Sequence, residues 1–320
     1  MPWTTAPAGT LPGPAMVWVP GGTFTMGSDR HYPEEAPEHQ VAVDGFWMDS
    51  HPVTNEEFAA FVDATGHVTV AEQPPDPAAY PGADAALLVP ASSVFTPPDH
   101  RVDLRDAYQW WSLVPGSALD GLGSHPVTHV AWSDVAAYAA WAGKDLPTEA
   151  EWEFAARGGG PNTEYAWGTA LTPGGEHRAN VWQGDFPLVN VAADGYAWTS
   201  PVGSFPPNGY GLVDMIGNVW EWTADWFAGH PAAAHTGPAH SGPACCGPGR
   251  PRANPTGGHR AGSVDPGTSI PRKVIKGGSY LCAPNYCRRY RPAARLPQPI
   301  DTSTCHLGIR CVARPVVAER

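Results

Sequence analysis

The chain has 320 residues, of which 42% are apolar and 16% are charged, and its formal net charge at pH 7 is −12. This length and apolar content allow a sizeable core in one large domain or two ordinary ones. The negative charge argues against nucleic acid or an anionic membrane as the main partner. The sequence contains no run of 18 apolar residues, so no transmembrane helix is predicted.

Glycine and proline are frequent, with 36 and 37 residues, and there are 14 tryptophans. We therefore expect many turns and irregular loops instead of long helices, with an aromatic-rich, partly polar interior or groove. Residues 1–22 lack the basic and apolar regions of a signal peptide, and residues 1–13 are expected to form a flexible tail. Six cysteines are few for a secreted scaffold of this size, so a cytoplasmic location is expected.

The first predicted elements are short strands and one helix. MVWVPGGTFTMGS indicates two strands around a Pro-Gly-Gly turn, and QVAVDGFWMDS indicates a hairpin with Asp44 and Gly45 at its tip. The residues from Thr54 to Glu57 form a capping box that begins a helix, and Gly66 ends it. Between residues 68 and 127 no period is maintained, which predicts a long irregular excursion.

Two more helices and two strands are predicted in the rest of the chain. Alanines along residues 133–143 indicate a closely packed helix, and a second capping box at 148–151 begins a helix that ends at 158–160. Residues 228–270 form a long Gly/Pro/His-rich loop, and the final strands are expected at 273–276 and 308–313. Without repeats or a clean linker, one domain over residues 14–315 is predicted.

Cys282 and Cys287 lie five positions apart in GGSYLCAPNYCRRYR. This spacing fits neither one helix face nor one strand face, so the segment must bend to bring the thiols together, and Pro284 and Asn285 favour a turn. The pair is then a disulfide, a soft-metal site or a redox pair. Ten of the 19 Lys and Arg residues follow residue 270. They either favour the thiolate form or pair with acidic residues elsewhere.

Five parts of the chain resemble the formylglycine-generating enzymes, or sulfatase-modifying factors, of the bacterial type. They are MVWVPGGTFTMGS, HPVTNEEFAAFV, HPVTHVAWSDVAAYAAWAGKDLPTEAEWEFAARGG, NGYGLVDMIGNVWEWTADW and KGGSYLCAPNYCRRYRPAAR with LGIRCVA. The resemblance implies a single compact α+β domain, low in regular secondary structure and C-type-lectin-like. It also implies an oxidase that uses molecular oxygen to convert a cysteine in a Cys-x-Pro-x-Arg segment of a sulfatase to Cα-formylglycine. The implied partner is an unfolded or extended sulfatase segment, and the enzyme is expected to be a monomer.

The same resemblance assigns Cu(I) to Cys282 and Cys287. It places Ser279 in an oxygen pocket beside the metal and Trp220 next to it, although a turn serine and an ordinary core tryptophan are the alternatives. A structural disulfide, or zinc held with Cys305 and Cys311, is the alternative for the cysteine pair. Weaker candidates for peptide contacts are Tyr286, Arg288 and His306.

Two structural calcium sites are implied as well. The first uses the side chains of Asn180 and Asp194 with backbone oxygens of Val181 and Tyr196. The second uses the side chains of Asp214 and Glu221 with backbone oxygens of Gly217 and Val219. Carboxylate, amide and carbonyl oxygens on irregular backbone suit calcium, while turn closure is the alternative role for such Asn and Asp residues.

The chain also departs from the family. Three of the four positions that form structural disulfides in vertebrate members are Ala139, Ala156 and Pro292, which leaves Cys311 without its partner. Relatives carry a Trp-containing, peptide-binding segment where this chain has only residues 116–124, and His306 replaces an asparagine near that surface. These two changes predict an altered peptide preference with unchanged metal chemistry.

One repeated pattern lies outside the resemblance. Histidines at positions 230, 235 and 240 and Cys245 recur every five residues, with Cys246 adjacent. A flexible loop is expected there, with a metal-binding tract as the alternative. For the whole chain, the alternative function is a non-catalytic, lectin-like module that binds a peptide or glycan.

Overall fold

The computed structural model describes residues 13, 15–116, 122–230, 251–265 and 268–315. Its α-helices are α1 (Asn55–Thr65), α2 (Trp132–Trp141) and α3 (Glu149–Ala156). Its strands in chain order are β1 (Met16–Val19), β2 (Gly22–Met26), β3 (His39–Val43), β4 (Phe46–Asp49), β5 (Ala91–Phe95), β6 (Trp111–Pro115), β7 (Trp220–Trp226), β8 (Arg252–Ala253), β9 (Arg272–Lys276), β10 (Arg295–Pro299), β11 (Leu307–Gly308) and β12 (Val312–Ala313). The result is an α+β fold with few helices and many short strands.

The strands form small sheets instead of one large one. The largest has the order β10-β9-β7-β11, and two three-stranded sheets have the orders β1-β4-β12 and β2-β3-β8. Neighbours are antiparallel except for β11 with β7 and β3 with β8. Because β9 and β10 are adjacent and antiparallel, the connection between them, which carries the cysteine pair, leaves from and returns to the same end of the sheet.

Capping determines where the helices begin and end. The Thr54 side chain accepts a hydrogen bond from the Glu57 backbone N–H, and Glu57 bonds back to the Thr54 N–H, which confirms the predicted capping box. Gly66 ends α1 with a φ of 68°, a left-handed conformation that glycine adopts without strain. The capping box of α3 at Thr148 is also confirmed.

The hairpin predicted around Asp44 and Gly45 is wrong. The strands β3 and β4 exist, but β3 pairs with β2 and β8, whereas β4 pairs with β1 and β12. The reason lies in the turn between β1 and β2, which is packed against this one. A Cβ atom on Gly21 would lie 2.6 Å from the Gly45 nitrogen. The chain therefore crosses between the same two sheets at both turns.

Other differences concern strands without a clear pattern. The excursion predicted over residues 68–127 contains the hairpin β5-β6 as well as short 3-10 turns. The single strand predicted at 308–313 is two short strands in different sheets, and the loop predicted at 228–270 contains β8 in its described part. The central strand β7 has no alternating pattern, because five of its seven residues are either buried Trp or buried polar groups bonded inside the core.

Helix α3 is buried along its whole length, although it carries three glutamates. Arg295 binds Glu149 through two hydrogen bonds of 2.6 and 2.8 Å. Lys276 and Arg157 bind Glu153 at 3.0 and 2.6 Å. Buried charges are tolerated only when they are paired, so this network joins α3 to β9 and β10. No helix in the described ranges is long and apolar enough to cross a membrane.

Candidate active site

The connection from β9 to β10 begins with a sharp turn at Gly277 and Gly278, whose φ values are 96° and 73°. A side chain at position 278 would collide with the backbone of Tyr290, 2.9 Å away, so the two ends of the cysteine loop pack backbone to backbone. Within the loop the Cys287 N–H donates to the Ala283 carbonyl at 2.9 Å. This bond closes the bend that the sequence predicts between the two cysteines.

The bend brings the two thiols together without a bond between them. The Sγ atoms of Cys282 and Cys287 lie 3.3 Å apart, and both residues are free cysteines. A disulfide would require about 2.05 Å. Cys282 is buried, whereas Cys287 is partly exposed, so solvent reaches the pair from the Cys287 side. Two converging sulfurs fit a soft ion of low coordination number such as Cu(I).

Electrostatics differ between the two sulfurs. Burial raises the pKa of the Cys282 thiol well above its usual value. The hydrogen bond from Cys282, reinforced by the Arg289 guanidinium, lowers the pKa of Cys287 to about 7. The pair therefore contains one thiol donor and one sulfur that readily becomes a thiolate, which is the form that binds metals.

Ser279 and Trp220 are both buried near this loop. The Ser279 backbone N–H donates to the Cys282 sulfur at 3.4 Å, and the Ser279 side chain accepts a hydrogen bond from the Leu281 N–H at 3.2 Å. Trp220 opens β7 and belongs to the same hydrophobic cluster as Cys282. The structure thus places Ser279 in direct contact with a candidate ligand, and Trp220 in the surrounding core.

Three arginines that follow Cys287 bind acidic residues far away in the sequence. Arg288 binds Glu164, Arg289 binds Glu34, and Arg291 binds Glu35, each with a shortest distance of 2.5 Å. The three arginines therefore pair with acids elsewhere in the chain, and Arg289 also contacts the Cys287 sulfur, so the two alternatives stated for the basic residues are not exclusive. The sequence did not identify the acids, although Glu34 and Glu35 stand out in the segment Tyr-Pro-Glu-Glu at residues 32–35.

An aromatic wall stands beside the cysteine loop. Tyr286 stacks on Phe186 with a centroid distance of 4.6 Å and an interplanar angle of 5°, and Trp110 contacts both rings edge-on. The indole N–H groups of Trp110 and Trp182 are buried without a hydrogen-bond partner. Since the Trp182 backbone N–H donates to the Cys282 carbonyl at 3.1 Å, the wall is attached directly to the cysteine loop.

A cleft of about 460 Å³ opens next to this wall. Tyr280, Cys305 and the half-exposed Trp198 line it, together with Leu122 from the end of the shortened segment. His306 lies behind Cys305, where its ring packs against Trp111 at 4.9 Å. Burial lowers the pKa of His306 to about 3, so this histidine is neutral at physiological pH. Residues 117–121 of the shortened segment lie outside the described part of the chain.

The first predicted calcium site has a suitable arrangement of oxygens. The Asn180 side-chain oxygen is buried without a hydrogen-bond partner, although the Asn180 amide donates to the Trp198 carbonyl at 2.8 Å. Asp194 accepts hydrogen bonds from the backbone N–H groups of Val181 and Tyr196, at 3.1 and 3.0 Å, and the Gln183 amide donates to Asp194 at 2.6 Å and to the Val181 carbonyl. The orphaned buried oxygen of Asn180 is what a bound cation would satisfy.

The second predicted site contains a buried ion pair. Glu221 accepts a hydrogen bond from Trp152 at 2.7 Å and an ion pair from the buried Arg310 at 3.1 Å. Asp214 accepts a hydrogen bond from the Gly203 N–H at 2.6 Å, and burial raises its pKa to about 6. The positive guanidinium beside Glu221 already offsets its charge, so these residues fit calcium less well than the first set. Gly217 and Val219 lie on the same turn.

Two further metal alternatives are the zinc site and the repeated histidine and cysteine pattern. In the part of the chain that the structure describes, no three His, Cys, Asp or Glu side chains form a metal cluster, so the structure gives no support to zinc shared with Cys305 and Cys311. Of the repeated histidine and cysteine pattern only His230 is described, and the other four positions lie outside the described residues.

Comparison with known proteins agrees with this geometry. A family model for the sulfatase-modifying factor enzyme 1-like domain matches residues 4–315. The chain belongs to this family. It is 54% identical to the formylglycine-generating enzyme of Mycobacterium tuberculosis, over 94% of this chain and 98% of that protein. Identity to the mouse formylglycine-generating enzyme is 42%, over 93% of this chain and 74% of the mouse protein.

A mouse relative named inactive C-alpha-formylglycine-generating enzyme 2 is 42% identical over 66% of this chain and 68% of its own length. Among solved structures, PvdO from Pseudomonas aeruginosa has a TM-score of 0.60 and 25% identity, and the match covers 93% of both chains. Treponema denticola variable protein 1 has a TM-score of 0.56 and 19% identity, over 94% of this chain and 95% of that one, which shows the fold alone. The predicted C-type-lectin-like α+β fold is confirmed.

Proposed function

We propose that this family member is an oxidase that converts a cysteine of a sulfatase to Cα-formylglycine. The observation that carries the proposal is the cysteine pair, whose unbonded sulfurs lie 3.3 Å apart at a partly exposed site. High identity over nearly the full length of proteins named formylglycine-generating enzyme supports the same activity. The catalytic domain is proposed to span residues 14–315, preceded by a tail.

Cys282 and Cys287 would hold Cu(I), which when bound would supply one-electron chemistry with molecular oxygen. The residues around the pair would position the sulfurs, receive the substrate and exclude water. Cys287 is the sulfur that a substrate approaches first, because Cys282 is buried. Ser279 holds the Cys282 sulfur through its N–H, and its hydroxyl would border the oxygen pocket. Trp220 would exclude water from the inner side of the site.

The substrate is proposed to be an extended sulfatase segment that contains Cys-x-Pro-x-Arg. The cleft beside Tyr280 has room for an extended peptide. Tyr286 and Arg288 belong to the cysteine loop, and His306 follows the cleft residue Cys305. Extended peptides are bound through their backbone, and side-chain pockets select the sequence. Because residues 116–124 replace a longer segment, a changed flanking preference is proposed, with a larger effect on KM than on kcat.

Calcium is proposed as a structural ion at Asn180, Val181, Asp194 and Tyr196, and with weaker support at Asp214, Gly217, Val219 and Glu221. A cytoplasmic location is proposed because the four described cysteines are free thiols, which persist in a reducing compartment. The protein is proposed to act as a monomer, which a molar mass measured by light scattering would test.

The function is tested with the protein loaded anaerobically with Cu(I) and then given a Cys-x-Pro-x-Arg peptide in air. Mass spectrometry should show conversion of the peptide thiol to an aldehyde, and a panel of flanking sequences should show a better substrate than the standard one. Changing Cys282 or Cys287 to Ser should abolish both Cu(I) binding and turnover, because a hydroxyl is not a soft ligand.

Cys311→Ala is the control for metal binding, since Cys311 is also buried and free but lies away from the pair. It should keep the Cu(I) stoichiometry of the wild type. Tight peptide binding without any turnover would instead favour the lectin-like binding module, and Cu(I) binding that survives both Ser changes would contradict the assigned ligands.

A further inference from the structure

The arginines after Cys287 differ in what they contact. The side chain of Arg288 points to Glu164 and is almost half exposed. Arg291 is buried in its pair with Glu35. Of these three, the Arg289 side chain contacts a cysteine sulfur, because its Nη1 lies 3.8 Å from Cys287 Sγ. A contact between a guanidinium N–H and a thiolate is a charge-assisted hydrogen bond.

Arg289 is held in place from two sides. Its Nη2 and Nε donate to the same oxygen of Glu34, at 2.5 and 3.1 Å. Its guanidinium lies over the Tyr32 ring, 3.7 Å from the ring centre, and the Tyr32 hydroxyl accepts a hydrogen bond from the Arg288 backbone at 2.9 Å. Because a planar guanidinium that is both stacked and ion-paired has little freedom, its remaining N–H is fixed toward the sulfur.

We infer that Arg289 is a positioning residue, which directs the Cys287 sulfur toward Cys282 and thereby sets the affinity of the pair for Cu(I). The inference rests on the proposed function. Two thiolates with Cu(I) carry a net charge of −1, and the positive end of the Arg289–Glu34 pair faces them. Groups that orient metal ligands in this way typically change metal affinity by about 10–100-fold when they are removed.

The test measures Cu(I) affinity by anaerobic competition with a chromophoric chelator, in the full-length chain. Arg289→Gln should lower the affinity by at least about tenfold. Arg289→Lys should recover part of it, because lysine keeps the charge but not the planar fork. Glu34→Gln should weaken binding in the same direction, since it removes the anchor of Arg289. The ultraviolet absorption of Cu(I)–thiolate should shift in these variants, which a purely structural role would not cause.

Arg288→Gln is the matched control, because it removes the same charge from the neighbouring position and its ion pair faces Glu164. Its Cu(I) affinity should equal that of the wild type. Melting temperatures separate folding from binding, and if Arg289→Gln does not fold, Arg289→Lys and Glu34→Gln carry the comparison. Equal Cu(I) affinities in Arg289→Gln and Arg288→Gln would overturn the inference, as would a wild type that binds no Cu(I).

Turnover is measured separately on the same proteins. Lost Cu(I) affinity in Arg289→Gln supports the inference even if the wild type converts no peptide, and in that case the proposed function alone fails. Turnover by the wild type with unchanged affinity in Arg289→Gln gives the opposite result: the function stands and Arg289 has no positioning role.

Discussion

His306 is a histidine in a place that keeps it uncharged. Its ring packs on Trp111, its Nδ1 lies 2.6 Å from the Thr304 hydroxyl, and burial together with nearby His129 lowers its pKa to about 3. In the unfolded chain a histidine has a pKa near 6.5. Between these two values the unfolded state binds the proton and the folded state does not, so His306 costs stability as the pH falls from about 6.5 toward 3.

The change His306→Asn should therefore reduce acid sensitivity. At pH 5 the wild type should lose about 2 kcal/mol of unfolding free energy through this group, and the variant should not. Chemical denaturation at pH 7 and pH 5 measures the difference. His100→Asn is the control, because His100 is largely exposed beside Asp99. The same pH-dependent loss in His306→Asn and in the wild type would show that another group is responsible.

At this scale the sequence predicted the bend between the cysteines but not its supports. Pro284, Asn285 and the odd spacing are local signals, and the structure contains the turn that they indicate. The partners of Arg289 and Arg291 are Glu34 and Glu35, more than 250 positions earlier in the chain. No local pattern encodes a pairing over that distance. The sequence could therefore predict that the arginines pair with acidic residues, but not with which ones.

Helix α3 is an element whose ends were predictable and whose surroundings were not. The capping box at Thr148 determines its start, but its glutamates would ordinarily indicate a solvent-facing side. Instead Glu149 and Glu153 point into a buried network with Lys276 and Arg295. The polar residues of α3 are therefore part of the core, and the helix depends on charges supplied by β9 and β10.

Lys276→Met should destabilise the protein strongly. The methionine fits the volume of the lysine but leaves Glu153 with Arg157 as its one ion-pair partner, and loss of one member of a buried pair costs about 3–5 kcal/mol. Chemical denaturation should show this loss. Arg105→Met removes an exposed ion pair with Asp103 and should leave the melting temperature unchanged. Equal stabilities of the Lys276 variant and the wild type would show that the network contributes little.

In the described part of the chain, four small sheets are joined by loops, and several of these loops meet near Asn180. The Asn218 N–H donates to the Asn180 carbonyl at 2.9 Å, and the Asn218 side chain bonds to the Ser200 backbone in both directions. An ion at Asn180 would therefore stabilise loops that the sheets do not reach. The sequence indicated the ligands through the family resemblance, but composition alone gave no sign of how the sheets cross.

Removal of calcium should lower the melting temperature, because an ion that binds only the folded state stabilises it. Calorimetry in excess chelator, followed by restored calcium, measures the effect. Asp194→Asn should reduce the response to calcium. Asp214→Asn should change it less, since Arg310 already offsets the charge of Glu221 at the second site. A larger effect of Asp214→Asn would reverse this ranking of the two sites, and an unchanged melting temperature in chelator would contradict structural calcium.

The ion pairs that hold the cysteine loop have a consequence for synthesis. Arg291 follows its partner Glu35 by 256 positions. At a translation rate of about 5–20 residues per second, the ribosome needs roughly 13–50 s between them. During that time Glu34 and Glu35 have no arginine partners, so these ion pairs cannot yet hold the cysteine loop in place. Contacts of such long range also slow folding. The site that would take up a reactive ion is therefore completed only after the helices and strands that precede residue 282 have been synthesised.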